Sequence, residues 1–373
     1  MRHNTMIFFA AVAVVFCSLP LAAQQDEGGS RDVAAPLQTA APLRLEDLER
    51  LAVEGHAGLR AQKLRADAAR QDVPQAAALP DAKAGVGYFA VPVETRLGPQ
   101  QATLSFSQSF PWFGTLGAEE DAASARARQQ FSFYADVRNR VIVDLRDAWY
   151  RLYLLRRNEE ITRGHLSLLR TLHAVAMARY ESGALPFSHL LRLETEVEEL
   201  ETRLRSLADD RAPLLGELAR LTGRRIDAAD LSLPDSLALP PPPHDFDALQ
   251  RTVAAANPRL KGLAEEQRYW EHRGDAARRR GYPSLTLGLT YTVIGPREDV
   301  ELPDNGRDAV IPQLGLSFPL FGSRYAAMEE QAALQRRATE AAREDLQLQL
   351  STTLRQRLRD LADAQRQFEL SRR

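Results

Sequence analysis

Three short patterns occur twice in the sequence, in the same order and at nearly constant spacing. The matched pairs, at offsets of 208, 203 and 201 residues, are SFPWFG at 109–114 with SFPLFG at 317–322, PxxxxGxxY at 80–88 with 283–291, and Leu48 and Leu59 with Leu249 and Leu260. Three matches in register indicate one structural unit used twice, with loop insertions between the anchors. Any fold for this chain must therefore contain the same unit twice.

The repeat divides the chain into two parts of similar plan. The first repeat is predicted to span 44–230 and the second 245–373, with a Pro-rich linker at 231–244 whose composition is typical of an extended segment. The second repeat is expected to be incomplete. A turn equivalent to the one at Tyr180 would fall near residue 388, beyond Arg373, so about sixty residues of a full second unit are missing. The chain is then either a fragment or a protein without its last returning helix.

Four short segments alternate hydrophobic residues with small polar ones. The predicted strands lie at about 82–91, 101–110, 284–293 and 311–318, with loops near 93–100 and 295–309. Alternation places Leu, Phe and Tyr on one face and Ser, Thr and Gly on the other. The polar face fits either a solvated sheet or the wet lumen of a transmembrane barrel, and the strands alone favour a soluble sheet.

Helical periodicity follows the strands. Residues 118–182 contain no proline and one glycine, and apolar residues recur at helical spacing, which predicts a rod of roughly 100 Å. The stretch YESGALPF at 180–187 combines a glycine at a helix end with a proline beyond it, which predicts a turn. A second helix is predicted to begin with Ser188 as its N-cap, completing a helical hairpin over 115–222.

The predicted fold is mainly α with a small β part, a duplicated unit of one long helical hairpin and one β-hairpin. A helical hairpin of this length buries one stripe and needs neighbours to cover the other. Four strands cannot close a barrel alone, and an open sheet edge is not tolerated in lipid. Two copies give eight strands, whereas three give twelve and leave room for a channel. The chain is therefore expected to assemble with copies of itself.

The first residues resemble an export signal. A basic start at Arg2 and His3, an apolar run and the small pair Ala22-Ala23 predict a signal peptide over 1–23, followed by a flexible segment over 24–43. A membrane anchor and a lipoprotein attached through Cys17 are the alternatives. The apolar run is short for a bilayer span, and Phe16 stands where lipidation would need a small residue.

Composition and motifs exclude several classes of protein. The 48 Lys+Arg against 50 Asp+Glu leave no basic face for nucleic acid. The single cysteine excludes a disulfide scaffold and a Cys-based zinc site. The sequence has no GxSxG motif, P-loop or GxGxxG after a strand, and its seven histidines are scattered. We therefore expect no catalytic residues, no cofactor and no metal site.

Several motifs together resemble one family. From about residue 43 to 373, the chain resembles the TolC-type outer-membrane efflux proteins. The resemblance rests on the order of its parts: signal peptide, helix, β-hairpin ending in SFPWFG, long helix with DLRDAWYRLYLL at 144–155, YxxG turn and HLLRLETEVEELE at 189–201. The resemblance implies a homotrimer with a twelve-stranded outer-membrane barrel, continued by a helical tunnel across the periplasm. It also implies a periplasmic adaptor protein attached to an inner-membrane pump, and export of small molecules or metal ions.

Two sets of residues are candidates for function. The resemblance implies that the tip of the helical hairpin docks the adaptor, through Arg179, Gly183, Ala184, Leu185 and Phe187. An ordinary turn whose apolar residues cover their own hairpin is the alternative for this tip. The strand pattern predicts a lipid-facing set: Leu104, Phe106, Leu285, Leu287, Leu289, Leu314 and Leu316. Thr286 and Thr290 are predicted to face the lumen.

A second function class stays open at this point, that of a periplasmic coiled-coil scaffold or adaptor protein of an export complex. Such a protein also carries a signal peptide and a helical hairpin, and its strands would form a small soluble sheet. Adaptors lack the duplication, however, and fractionation of cells would separate the two classes.

Overall fold

The computed structural model describes residues 42–237, 245–299 and 303–371. The predicted signal peptide 1–23, the predicted flexible segment 24–43 except for its last two residues, and 238–244 of the predicted linker lie outside the described residues. The described chain is mostly helical and contains a small antiparallel sheet, as the two periodicities predict.

Helices and strands follow the same order in the two repeats. The first repeat contains α1 (Leu45–Gly55), α2 (Ala57–Ala77), β1 (Lys83–Thr95), β2 (Gly98–Phe110), α3 (Thr115–Glu181), α4 (Phe187–Asp209) and α5 (Arg211–Thr222). The second contains α6 (Phe246–Ala256), α7 (Pro258–Arg280), β3 (Ser284–Ile294), β4 (Ala309–Ser317) and α8 (Ser323–Ser371). Helices α1 and α6 begin 201 residues apart, the offset of the leucine anchors.

Helix α3 is the longest element, with 67 residues, or about 100 Å at 1.5 Å per residue. Its N-cap is Gly114, whose φ of 77° is a conformation that residues with a side chain rarely adopt. Ala118, Ala122 and Ala125 are buried in its first turns. These small side chains let α2 and α7, the two helices packed against α3, approach closely.

Helix α7 joins the two repeats because it packs against both α3 and α8. On the α3 side, the Arg128 guanidinium lies 2.7 Å from the Glu265 carboxylate. On the α8 side, Arg278 lies 2.5 Å from Glu329. These ion pairs are partly exposed and add little stability individually, so they mainly orient the three helices relative to one another.

The four strands form one sheet in the order β1-β2-β3-β4, with all neighbouring pairs antiparallel. The central pairing of β2 with β3 joins the repeats, and it places Phe106 opposite Leu289 and Phe110 opposite Leu285. The two predicted β-hairpins are therefore halves of a single sheet. Strands β1 and β4 are its edges, with one neighbour each.

The first β-hairpin is tighter than the sequence predicts. Strand β1 continues to Thr95 and β2 begins at Gly98, so most of the loop predicted at 93–100 is paired. A register shift between Tyr88 and Val93 absorbs Pro92, which has no N–H for the ladder. The alternation breaks at this bulge, which is why the pattern alone ends the strand too early.

The main hydrophobic core lies where α1 and α5 pack on the middle of α3. Its most buried large side chains are Leu48 from α1, Leu145 from α3 and Leu218 from α5, each 0% exposed. Burying a side chain of this size contributes about 1.5–3 kcal/mol. The core therefore fixes α1 and α5 to the long helix.

Both ends of the first repeat are part of this core. The Leu43 amide donates to the Asp230 carbonyl at 2.6 Å, and the Ser232 amide donates to the Leu43 carbonyl at 2.8 Å. Leu43 and Leu231 form a parallel bridge and are both buried. The predicted boundaries, a flexible segment ending at 43 and a linker beginning at 231, cut through this bridge. Both residues belong to the core because they are buried, and their paired backbone groups hold them there.

The returning arm of the helical hairpin consists of two helices. Helix α4 ends at Asp209 and α5 begins at Arg211, and Pro213 in the first turn of α5 lacks the N–H that a continuous helix would use. The Arg211 guanidinium donates to both carboxylate oxygens of Glu159 on α3, at 2.6 and 2.7 Å. Glu159 is only 3% exposed, so this pair clamps the start of α5 to α3.

Candidate functional site

The tip of the helical hairpin is a turn with both hydrogen bonds of a Schellman motif. The Ala184 amide donates to the Arg179 carbonyl at 2.8 Å, and the Gly183 amide donates to the Tyr180 carbonyl at 2.9 Å. Gly183 has a φ of 73°, and a Cβ added to it would meet no atom within 4 Å. The glycine is therefore required by the backbone conformation and not by crowding.

Apolar groups lie exposed at this tip. The ring centroids of Tyr180 and Phe187 are 5.7 Å apart. Tyr180 is 41% exposed and Phe187 is 56% exposed. Leu185 is half-buried, whereas Arg179 and Ala184 are exposed. The predicted docking residues thus lie together, and Tyr180 joins them. The ring pair also shows that Phe187 covers part of its own hairpin.

Helix α4 starts two residues earlier than predicted. Pro186 is its N-cap and Phe187 its first residue, so Ser188 lies inside the first turn and is not the N-cap. Proline fixes φ near the helical value and needs no donor, which lets the chain enter the helix without a side-chain cap.

A groove between α3 and α4 runs back from the tip. Arg170 on α3 lies 2.7 Å from Glu201 on α4. Beside this pair is a cavity of about 350 Å³ lined by His165, Leu168, Leu169, Glu196, Glu199 and Leu200. Three leucines and His165 line the cavity together with Glu196 and Glu199 of α4, and it opens to the surface.

The sheet has two chemically distinct faces. Registered pairs place apolar residues of all four strands on one face, so that Val86, Leu104, Tyr291 and Val310 form one row across the sheet. The predicted lipid-facing residues all lie on this face. Those with large exposed side chains, between 44% and 70% exposed, are Leu104, Phe106, Leu287, Leu289, Leu314 and Leu316.

The other face is mostly polar and made mainly of small residues, with Ile311 of β4 as an apolar exception opposite Thr290. The row Gly85, Ser105, Thr290 crosses three strands, and Thr286 lies on the same side, opposite Ser109 and Gly315. Thr286 and Thr290 are therefore on the face away from the leucines.

The two hairpin loops contact each other at one end of the sheet. A Cβ added to Gly98 would lie 1.8 Å from the Gly295 carbonyl oxygen, and the Gly306 amide donates to the Leu97 carbonyl at 2.8 Å. In the same loop Arg297 lies 2.6 Å from Asp299 and, by hydrogen bonding, lowers the pKa of that carboxyl. At this end of the sheet, the backbone of one hairpin loop thus packs directly against the backbone of the other.

Two features matter for other kinds of site along the described ranges: helices that could cross a membrane, and clusters of metal ligands. None of the described helices has a stretch both long and apolar enough to cross a bilayer. Within the same ranges, no three or more His, Cys, Asp or Glu side chains are placed to share a metal ion.

The structure separates the two predicted sites and extends one of them. Helix α3 begins just after β2 and ends at the hairpin turn, so the sheet and the tip lie at opposite ends of a rod of about 100 Å. On the apolar face, Val86 and Val310 were not predicted as site residues, although both are more than half exposed. The alternation around Val86 is short, which is the only signal that could have found it.

The described residues form one long helical hairpin, a four-stranded antiparallel sheet and a further long helix, with the same order of elements in the two repeats. No protein-family model matches the sequence, and no curated protein matches it. Several solved structures are similar to this chain.

The chain is similar to the outer-membrane channel OprN, with a TM-score of 0.66 at 18% identity, over 88% of this chain and 75% of that chain. It is similar to CusC, whose structures describe transmembrane channel formation, with a TM-score of 0.65 at 15% identity, over 88% and 79%. The outer-membrane protein VceC from Vibrio cholerae gives a TM-score of 0.64 at 19% identity, over 82% and 75%. These likenesses confirm the TolC-type fold expected from the sequence.

Proposed function

We propose that this protein is the outer-membrane channel subunit of a tripartite efflux or secretion system that exports small molecules or metal ions. One observation carries the proposal. The four-stranded sheet has an exposed apolar face on all four strands and an opposite face made mainly of Ser, Thr and Gly on β1, β2 and β3, with Ile311 and Gln313 on β4. A sheet that separates lipid from a water-filled lumen needs this distribution.

The apolar face is unfavourable in water. Each large side chain left in water forgoes about 1.5–3 kcal/mol of burial, and contiguous apolar patches of this kind mark membrane or protein contacts. Leu314 on the edge strand β4 is 70% exposed on this face, and Phe106 on the central strand β2 is 55% exposed. Outer-membrane lipid is the partner that covers such a face without a specific binding pocket.

The edges of the sheet support assembly of copies. Strands β1 and β4 each have one neighbour, and their unpaired backbone groups must be satisfied inside a bilayer. Pairing of β4 with β1 of another copy satisfies both edges. Three copies close a twelve-stranded barrel with room for a channel, so the proposed assembly is a homotrimer.

The helices are proposed to extend the channel into the periplasm. Helix α3 spans about 100 Å, and its far end carries the exposed Tyr180 and Phe187 rings. We propose that this tip docks a periplasmic adaptor protein, which links the channel to an inner-membrane pump. The groove between α3 and α4 offers further contact area beside the tip.

Fractionation of cells tests the localisation. The channel is expected in the outer-membrane fraction and is resistant to release by salt, because lipid covers the apolar face of its sheet. Recovery with soluble periplasmic proteins would favour the scaffold or adaptor class and would refute the proposal.

Cysteine labelling tests the orientation of the sheet. Single Leu287→Cys and Thr286→Cys variants place thiols on opposite faces of the same strand, next to each other in sequence. A water-soluble maleimide is expected to label Thr286→Cys and to leave Leu287→Cys unreacted in intact membranes. The reverse result would overturn the assignment of faces.

A pair of glycine variants tests docking at the tip. Gly183 and Gly164 both lie where an added Cβ meets no atom within 4 Å, but only Gly183 has a positive φ. Gly183→Leu is expected to abolish export while trimers persist on cross-linking. Leucine is strained at the positive φ of this position, so the turn changes its conformation. Gly164→Leu adds the same side chain inside α3, the helix that leads to the turn, and should keep export. Full export by Gly183→Leu would sink the docking role of the tip.

A further inference from the structure

A cavity lies where the strands become helices, at the end of the sheet opposite the packed loops. It measures about 420 Å³, and its lining comes from three distant segments, 109–115, 279–284 and 317–328. Both copies of the repeated SFP motif contribute to it, through Ser109 and Pro111 in one and Ser317, Phe318 and Pro319 in the other. We refer to it as the junction cavity. Its volume is that of a site for a small ligand.

The charge of the junction cavity has one sign. Arg279, Arg280 and Arg324 line it, and no Asp or Glu does. Arg280 is paired with Glu119 at 2.8 Å. Arg279 and Arg324 form no ion pair with any carboxylate in the described ranges, and Arg279 donates to the Phe113 carbonyl at 3.3 Å. Two guanidinium groups thus face the cavity, and each has N–H donors that can bind a ligand.

Glycine makes room for one of these arginines. A Cβ added to Gly114 would lie 2.5 Å from the Arg279 guanidinium nitrogen Nη1. The guanidinium therefore lies directly across the start of α3, where any larger residue would displace it.

Two helices also point their N-termini at the junction. Helices α3 and α8 begin at Thr115 and Ser323, and neither has an acidic residue in its first turn. The Gly114 N-cap gives α3 no side-chain cap. The Thr115 amide donates to the Trp112 carbonyl at 3.0 Å, and the Tyr325 amide donates to the Gly322 carbonyl at 3.1 Å. The two helices therefore offer an anion mainly the positive ends of their dipoles.

A buried hydroxyl gives independent support for a ligand. Thr115 lines the cavity and is 2% exposed, and its Oγ1 has no hydrogen-bond partner among the described residues. A buried hydroxyl without a partner costs stability, so an acceptor in the cavity would satisfy it. The stacked rings of Trp112 and Tyr282, 5.4 Å apart, form an apolar wall beside it.

We propose that the junction cavity binds a phosphate group, held by the Arg279 and Arg324 guanidinium groups, the Thr115 hydroxyl and the α3 N-terminus. Guanidinium groups and helix N-termini both favour tetrahedral oxyanions. The phosphate comes either from a phospholipid headgroup or from free phosphate. The lipid source rests on the proposed function, since it requires the strand ends to lie at a membrane surface.

Binding of two probes to the full-length protein in non-ionic detergent tests the site and its source. The probes are dioleoyl phosphatidylglycerol, measured by native mass spectrometry, and inorganic phosphate, measured by calorimetric titration. Dioleoylglycerol, which lacks the phosphate, is the control lipid. Lipid binding without binding of inorganic phosphate identifies a headgroup site. Inorganic phosphate that binds and displaces the lipid identifies a site for the free anion.

Variants connect the binding to these residues. The double variant Arg279→Gln/Arg324→Gln is expected to weaken binding at least about tenfold, because it removes the charge-assisted hydrogen bonds. The matched control Arg268→Gln/Arg278→Gln removes two arginines of α7 that are already paired with Glu265 and Glu329, and should bind like the wild type. Thr115→Val should weaken binding severalfold without lowering the melting temperature, since the buried hydroxyl it removes has no partner.

Two results would overturn the site. One is that neither probe binds the wild type, and the other is that the Arg279→Gln/Arg324→Gln variant binds as tightly as the wild type. Fractionation of the same variants keeps the two proposals apart. Outer-membrane localisation with no phosphate binding would refute only the cavity, whereas release with the soluble periplasm would refute the channel.

Discussion

Helices α1 and α6 hold equivalent places in the two repeats but differ in what covers them. In α1, Leu48 and Ala52 are fully buried between α3 and α5. In α6, no residue is buried, and a cavity of about 250 Å³, lined by Val253, Leu260 and Leu350 among others, lies where it meets α8. The two helices share the leucine anchor, Leu48 in α1 and Leu249 in α6, although Thr252 stands where α1 has Leu51. How far the shared leucine is buried therefore depends on its neighbours.

The connections to the long helices differ in the same way. Arg146 of α3 lies 2.6 Å from Glu49 of α1. In the second repeat, Arg355 of α8 lies over the Phe246 ring of α6, 4.9 Å from its centroid. Each repeat thus keeps a cationic contact between the short and long helices, but only the first adds the leucine core beneath it.

The largest expected effect is truncation of the matched leucines. Leu48→Ala should lower the free energy of unfolding by about 3 kcal/mol, because it opens a cavity in a closed core. Leu249→Ala, its equivalent on α6, should cost less than half as much since Leu249 is only half-buried. Denaturant unfolding of both purified variants measures the difference. Equal losses would mean that α6 is covered as well as α1.

The ends of the two helices give a second pair. A Cβ added to Gly55, at the end of α1, would lie 2.0 Å from the Thr222 carbonyl oxygen of α5. Gly55→Ala should therefore cost about 2 kcal/mol through overpacking against backbone. The equivalent residue of α6 is Ala256, and Ala256→Gly should cost at most about 1 kcal/mol through helix propensity. A neutral Gly55→Ala in the same unfolding assay would contradict the close packing of α5.

The clamp on α5 gives the third test. Glu159→Gln should destabilise the first repeat by about 1.5 kcal/mol, because the buried carboxylate loses its charge-assisted bonds to Arg211. Hydrogen exchange of the α5 amides should speed up, while exchange in α6 stays unchanged. Glu160→Gln, one residue on and more exposed, is the control and should leave α5 exchange as it is.

The smallest expected effect concerns the caps of α2 and α7. The Leu59 amide donates to His56 Nδ1 at 3.0 Å, whereas Asn257 Oδ1 accepts from two amides at the same place in the second repeat. Burial, with help from Arg220, lowers the pKa of His56 below its ordinary 6.5. As the pH falls, the unfolded chain is protonated first, so stability is lost below about pH 6.5 and is fully present above it.

The variant His56→Asn transfers the second repeat's cap to the first. Between about pH 8 and pH 5, where histidine titrates, its melting temperature should fall less than that of the wild type. Identical pH profiles would show that His56 does not contribute to the acid sensitivity.

The sequence predicted those features that local spacing determines. Alternation at Leu287 and Thr286 assigned the two faces of β3, and the glycine and proline at 183 and 186 located the hairpin turn. The 201-residue offset placed α6 and α7 because the repeat preserves element order even where packing differs.

The sequence did not predict features that depend on segments far apart along the chain. The tight β-hairpin rests on the approach of Gly98 to Gly295, and the junction cavity brings Thr115 next to Arg279 and Arg324. Nothing in the neighbourhood of Leu48 or Leu249 along the chain indicates which of the two is buried. These contacts become visible only once the helices are placed together.

Helix α3 is unbroken, so a tilt at one of its ends displaces the other end. Its first turn sits at the junction cavity, and its last turn forms the hairpin tip, with no proline between them to absorb a bend. Over an arm of about 100 Å, a tilt of roughly 3° at the Thr115 end swings the Tyr180 end by about 5 Å, close to one helical turn. Small angular adjustments beside the sheet are thus amplified into displacements that a binding partner at the tip would register.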